Sequence, residues 1–182
     1  MNCCTHCGQP TTKKIPLGDD KPRQVCSACG NIHYENPKVI CGALVIWQEQ
    51  ILLCRRAIEP RHGYWTLPAG YMELNETMQQ GAERETLEEA EAQINTEQLY
   101  CLYDIPHIGQ IYAIFKAQLK DGIFGAGTET IESRLFHKDD IPWDELAFQS
   151  VRRTLTHYFS DREQQHYPLH LETLHRTADE QP

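Results

Sequence analysis

The stretch "RETLEEAEA", residues 84–92, crowds Glu85, Glu88, Glu89 and Glu91 into seven positions. Just upstream, Thr77 and Gln80 fit the T-x-x-Q capping box, so residues 77–92 read as one helix. Each like-charge pair at helical i,i+4 spacing costs about 0.2–0.5 kcal/mol. The helix must therefore spread these charges into solvent or gather them round a cation. Angular placement bears on the choice. At about 100° per residue, Glu89 falls about 40° to one side of Glu85 and Glu88 about 60° to the other, with Arg84 beside Glu88. Ala82, Thr86, Ala90 and Leu87 fall on the adjoining arc and read as the packing face, into which Glu83 intrudes without explanation. The three carboxylates thus flank the packing face rather than oppose it. Hard oxygen donors crowded on one rigid face are what Mg²⁺ or Mn²⁺ requires.

The surroundings read as a mixed α/β domain. "KVICGALVIW" (38–47) is β-branched and apolar, a buried strand, followed by a polar turn at 48–50 and a hairpin partner at 51–56. Two Pro and two Gly mark 59–70 as a loop. Strands are predicted at 99–105, 110–119 and 133–137, and terminal helices over "DELAF" (144–148) and 150–159. Hydrophobic residues make up 40 % of the 182, enough for a packed core. Composition divides the chain into residues 1–34, 35–162 and a polar, loosely held tail at 163–182. Residues 1–38 carry a net charge of +2, so the rest carry −11 of the total −9. Such a body is a poor non-specific binder of nucleic acid. No apolar run approaches the ~20 residues of a membrane helix, and a cytoplasmic setting is the expectation.

In that setting the eight cysteines favour metal over disulfides. "CTHCG" and "CSACG" are two C-x-x-C-G units with eighteen residues between Cys7 and Cys26. This is the spacing of a four-cysteine zinc ribbon with Cys4, Cys7, Cys26 and Cys29 as ligands. The glycine after each second cysteine relaxes the turn that aims the thiolates. Four protein ligands leave no open position, so this Zn²⁺ is structural. Cys3 lacks the spacing to Cys7 that Cys4 has. Cys41, Cys54 and Cys101 lie in apolar runs and read as small buried hydrophobes.

The wider stretch "GYMELNETMQQGAERETLEEAEA" resembles the Nudix box, with Gly70, Glu76, Arg84, Glu85, Glu88 and Glu89 in register. Thr86 is a weak match to an apolar position, and Glu91 replaces the glycine that usually ends the helix. Similarity extends over roughly residues 3–160 to zinc-ribbon-bearing Nudix enzymes, among them the plant chloroplast type that hydrolyses FAD and ADP-ribose. The Ser-Gln-Pro-Trp-Pro-Phe-Pro stretch of NADH pyrophosphatases is missing after the box.

The resemblance implies an α/β/α sandwich with a mixed sheet behind the ribbon, and a metal-dependent diphosphatase acting on a small nucleotide, FAD or ADP-ribose favoured and NADH the alternative. It implies Mg²⁺ or Mn²⁺ on Glu85 and Glu89, aided by Glu88 and the carbonyl of Ala69 or Gly70. Arg84 orients a neighbouring carboxylate, and Glu76 is structural. Glu132 matches a downstream metal-binding Glu, with Glu129 a second candidate. Arg55, Arg56, Tyr112 and Arg134 are candidates for substrate contact, as are His107 and Gln110. Tyr64 is a possible stacking ring and Trp65 reads as core. Such enzymes are often homodimers. A nucleotide sensor without turnover, or a ribbon that binds RNA, are the competing classes.

Overall fold

The computed structural model describes residues 2–176. Two compact units divide at Pro37/Lys38, a few residues past the boundary expected from composition. In the first, β1 (Thr11–Lys14), β2 (Arg23–Cys26) and β3 (Ile32–His33) form an antiparallel sheet in that order. Among its described residues this unit buries only Cys4, Pro16, Val25 and Cys26. So small a core cannot hold thirty-odd residues unless something cross-links it.

The second unit is built on β4 (Lys38–Trp47), β5 (Gln50–Arg56), β6 (Trp65–Thr66), β7 (Ala69–Tyr71), α1 (Met78–Ala90), β8 (Ile94–Ile105), β9 (Gln110–Leu119), β10 (Thr130–Phe136), α2 (Gln149–Gln164) and β11 (His170–Thr173). The sheet runs β10-β5-β4-β9-β8-β11, with β6 on β5 and β7 on β4. It is mixed: β4 is parallel to β9 and β11 to β8. The helices cover its two faces. Along β4, Cys41, Ala43 and Val45 pack in the clusters that hold Ala82 and Ala90 of α1, while Leu44 and Ile46 pack with Val151, Leu155 and Phe159 of α2. A strand covered on both faces reads as an unbroken apolar run, which is why "KVICGALVIW" lacks alternation. None of the described helices is long and apolar enough to cross a membrane.

One irregularity of the sheet opens the site. β4 pairs with β5 at Ile46 and Trp47, but with β7 at Ile40, Cys41 and Gly42. The sheet forks there, and α1 follows directly from the β7 arm.

Several sequence expectations change. The 59–70 loop contains β6 and begins β7. Over 144–148 no α-helix forms beyond a 3₁₀ turn at Trp143–Glu145. Leu146 bridges to Trp65 and the Ala147 N–H donates to the Trp65 carbonyl (2.8 Å), which holds this segment extended. The stretch expected to be a polar tail continues α2 to Gln164 and then adds β11, and Leu174 after it is buried; residues 177–182 of that expected tail lie outside the described residues. Helix α1 ends at Ala90 without the usual glycine, because Glu91 itself takes the left-handed conformation (φ 49°).

Candidate active site

Helix α1 starts with both halves of its capping box formed: Thr77 accepts from the Gln80 N–H, and the Gln80 side chain accepts from the Thr77 N–H. Ala82, Thr86 and Ala90 are buried against the sheet, and the Thr86 hydroxyl donates to the Ala82 carbonyl (2.7 Å), so a polar residue is satisfied at an apolar position. Glu83 accepts from Thr96 on β8 (2.8 Å), which explains its place on that face. Leu87, expected on the packing face, is 51 % exposed.

Arg84 is the hub of the carboxylate cluster. It grips Glu76 with two donors, Nε and Nη2 (3.0 and 2.8 Å), and reaches Glu85 (2.7 Å) and Glu88 (3.1 Å) through Nη1 and the Tyr71 carbonyl (3.0 Å) through Nη2. All five guanidinium hydrogens are committed, which suits a planar fork and would not suit lysine. The Arg84 pairing, helped by the Glu73 N–H, holds the Glu76 carboxyl down at about 2. Glu85 lies over Gly70, where a Cβ would stand 2.3 Å from its carboxylate. Gly70 is therefore glycine because the backbone of β7 and the Glu85 head group share one space.

Glu89 is 8 % exposed and accepts from the Ala69 N–H (3.0 Å). Burial pushes its carboxyl up to about 7; Ala69 and Arg56 work against this, and the neighbouring Glu85 and Glu129 add to it. Burial also raises Glu85, against the pull of Arg84. Three helix carboxylates with Glu129 close by carry more negative charge than Arg84 and Arg56 offset. An all-oxygen, electron-rich donor set of this kind fits a hard divalent cation.

Glu129 arrives on a loop fastened to the end of α1. The N–H groups of Gly125 and Gly127 donate to the carbonyls of Ala90 and Glu89 (2.7 and 3.0 Å), and Ala57 N–H donates to the Glu129 carbonyl (2.8 Å). A Cβ on Gly127 would stand 1.7 Å from the Glu88 carbonyl oxygen, so the docking needs glycine.

The carboxylates line a cleft of about 910 Å³. Ala69, Gly70, Arg84, Glu85, Glu88, Glu89 and Glu129 line one part. Ile40, Leu67, Ile105, Tyr112, Ile114, Phe148, Val151 and Leu174 supply apolar wall elsewhere, with Arg56, His107, Gln110 and Ser150 among the polar groups.

In the first unit the Sγ atoms of Cys4, Cys7, Cys26 and Cys29 all lie within 4.8 Å of one another. Cys7 is 3.5 Å from both Cys26 and Cys29, and Cys4 is 3.8 Å from Cys29. A tetrahedral ion with bonds of about 2.3 Å to sulfur has edges of about 3.8 Å, so the cluster fits. Gly8 and Gly30 have φ of 74° and 73°, as the tight turns after the ligand pairs require. The backbone N–H groups of Cys29 and Ala28 draw the Cys26 thiol down to about 6, while that of Cys7, against the pull of the Gln9 N–H, is pushed up to about 12 by Cys29 and Cys26, so the spacing of the sulfurs carries the metal reading. Cys3 is exposed and outside the cluster.

The NUDIX domain family profile matches residues 37–159. The chain belongs to the Nudix family. The Nudix N-terminal zinc-ribbon profile matches residues 2–35 as well. A NUDIX hydrolase crystal structure from Nitrosomonas europaea is 46 % identical, covers 97 % of this chain and 100 % of its own, and superposes with a TM-score of 0.94. An ADP-ribose pyrophosphatase from Streptococcus suis shares the fold at 20 % identity and a TM-score of 0.62, over 75 % of this chain and 99 % of that one. The NAD-capped RNA hydrolase NudC of Salmonella paratyphi C is 26 % identical over 76 % of this chain. The chain spans about half the length of such curated relatives (52 %).

Within this Nudix domain the predicted site residues separate. Arg56, Tyr112, His107 and Gln110 line the cleft with the box residues; Arg55, Glu132 and Arg134 do not. The reason is where β10 begins. It starts at Thr130, so Glu132 is inside the strand and in register with Arg55 on β5, to which it pairs (3.1 Å). Arg134 lies over the Phe136 ring (5.0 Å). Glu129, the last residue before the strand, is the one that faces the cleft. Tyr64 stands outside the lining beneath Arg61, and Trp65 is core, edge-on to Phe136. Sequence reading missed Phe148, Ser150, Val151 and Leu174. The two glycines of "GAGT" were the available signal for a docked loop ending in Glu129.

Proposed function

We propose that this chain is a divalent-metal-dependent diphosphatase that hydrolyses a nucleoside diphosphate joined to a second group, with FAD or ADP-ribose favoured and AMP as one product. The observation that carries the reading is the gathering of Glu85, Glu88, Glu89 and Glu129 along an otherwise largely apolar cleft, with Arg84 holding Glu85 and Glu88. Glu85 and Glu89 are the principal ligands for Mg²⁺ or Mn²⁺, with the more exposed Glu88 and the carbonyl of Ala69 or Gly70 completing the set. When bound, the ion neutralises phosphate oxygens and lowers the pKa of the attacking water. Arg84 keeps the ligands in one geometry, Arg56 meets phosphate, and Glu129 takes the proton of the water. Glu129 is preferred to Glu132 for this role because Glu132 is spent on Arg55. Zn²⁺ on the four cysteines serves the ribbon structurally. Eight cysteines outside any disulfide, four of them assigned to Zn²⁺, suit a reducing cytoplasm, and a homodimer is part of the reading.

A second reading, hydrolysis of NADH or an NAD-linked substrate, draws on the similarity to NudC. The missing Ser-Gln-Pro-Trp-Pro-Phe-Pro stretch weighs against it, and the acidic body weighs against an RNA-linked form. Incubating the protein and Mg²⁺ with FAD, ADP-ribose, NADH and nucleoside triphosphates, then quantifying AMP, tests both. AMP released fastest from FAD or ADP-ribose is expected. NADH as the best substrate selects the second reading, and no turnover on any of them indicates a nucleotide-binding sensor.

A further inference from the structure

Resting on that reading, we infer that the segment after α2 is a specificity element of the cleft and that Leu174 is its specificity-determining residue. The NUDIX profile ends at residue 159, so this segment lies beyond the family match. It nevertheless completes a wall. Leu174 is 3 % exposed and lines the cleft with Ile105, Ile114 and Val151. Its N–H donates to the Asp104 carbonyl (2.9 Å), and the Thr173 hydroxyl donates to the Asp104 carboxylate (2.8 Å).

Strand order gives the distance scale. From β4, beside which the carboxylates cluster at β7, the sheet continues through β9 and β8 to β11. Three strand spacings of about 4.8 Å put Leu174 about 14 Å across the sheet from β4. Tyr112, Ile114 and Ile105 line the interval. With the diphosphate at the carboxylates, the planar ring system at one end of the substrate falls on this apolar stretch, and Leu174 limits how far it extends.

The wall is held by polar contacts, not by burial of its own strand. Leu171 of β11 is 69 % exposed, while His170 and Glu172 turn inward. His170 Nε2–H donates to Asp161 of α2 (2.7 Å), which also accepts from Tyr100 (2.6 Å); His157 Nε2–H of α2 donates to Glu172 (2.6 Å). Each element thus supplies one imidazole and one carboxylate to the other. The two imidazoles stack between them, centroids 3.9 Å apart and 13° from parallel. His170 is therefore a positioning residue for Leu174.

The test compares Leu174→Trp, Leu174→Ile and His170→Ala with wild type, each confirmed as folded by circular dichroism. KM and kcat are measured for FAD and ADP-ribose, and both are titrated calorimetrically in chelator, where no turnover occurs. Leu174→Trp is expected to raise KM and the calorimetric Kd about tenfold with kcat within about twofold, Leu174→Ile to stay near wild type, and His170→Ala to show a smaller KM rise. A rise for both substrates puts the shared adenine at this wall; a rise for FAD alone puts the flavin there. Unchanged KM and Kd in folded Leu174→Trp overturn the inference, as does a fall in kcat with KM unchanged, or a wild type that binds neither nucleotide. Binding without turnover in the wild type overturns the hydrolase reading and leaves the Leu174 comparison to the Kd values.

Discussion

Glu89 sits where burial and like charge both resist ionisation, and a cation is the natural counterweight. Its carboxyl is raised to about 7 from an ordinary 4.5. Below that value the group holds a proton that a metal must displace, so divalent affinity is expected to rise as pH increases through about 7. Mn²⁺ titrations at pH 6, 7 and 8 measure this; affinity that is flat across the range contradicts it. Glu76 has the opposite sign. Held at about 2 by Arg84, it contributes stability that is complete above about 4.5 and is lost as pH falls toward 2. Glu76→Gln should therefore flatten the acid limb of a melting-temperature profile. At this scale the sequence was informative because angular spacing fixes which side chains share a helix face. That is how Ala82, Thr86 and Ala90 were placed in the core. It misjudged Leu87, since a wheel does not say how wide the covered arc is; and a strand that starts three residues before the expected point sets Glu132 against Arg55 and leaves Glu129 at the cleft.

Helix α1 is held at both ends by contacts of different legibility. Its start was readable: Thr77 and Gln80 form a local hydrogen-bond exchange that needs nothing else, and Thr77→Ala should cost about 1 kcal/mol in denaturant unfolding. Its end was not. The stop comes from a left-handed Glu91 and from a loop some thirty-five residues later, whose Gly127 approaches the Glu88 carbonyl too closely for any side chain. Gly127→Ala is expected to lose about 1–3 kcal/mol of stability and to cut turnover through Glu129; wild-type stability and turnover would show that the loop is not seated as described. Strand β11 escaped notice for a related reason. Its inward residues are His170 and Glu172, so apolar periodicity carries no trace of it. The 144–148 segment, conversely, has helix-like composition but is held extended by Trp65.

For the whole molecule, the class and order of elements were readable because two motifs have fixed spacings. Four cysteines must meet at one point, and six box residues must meet at one helix. Beyond the box residues the cleft is walled by β4, β5, β8 and β9, and by α2 and the segment after it, which are brought in by long-range pairing that local pattern does not encode. With only four buried residues among those described, the ribbon is expected to depend on bound metal for its integrity. Cys26→Ser should lower bound zinc well below one per chain, and unchanged stoichiometry would remove it from the ligand set. The proposed role of the α1 carboxylates as a hydrolytic metal site is tested most directly by the turnover of Glu89→Gln on FAD and ADP-ribose at saturating Mg²⁺, with folding checked by circular dichroism. A loss of at least about a hundredfold in kcat, in a folded protein, is the expected result; turnover close to that of the wild type would contradict it.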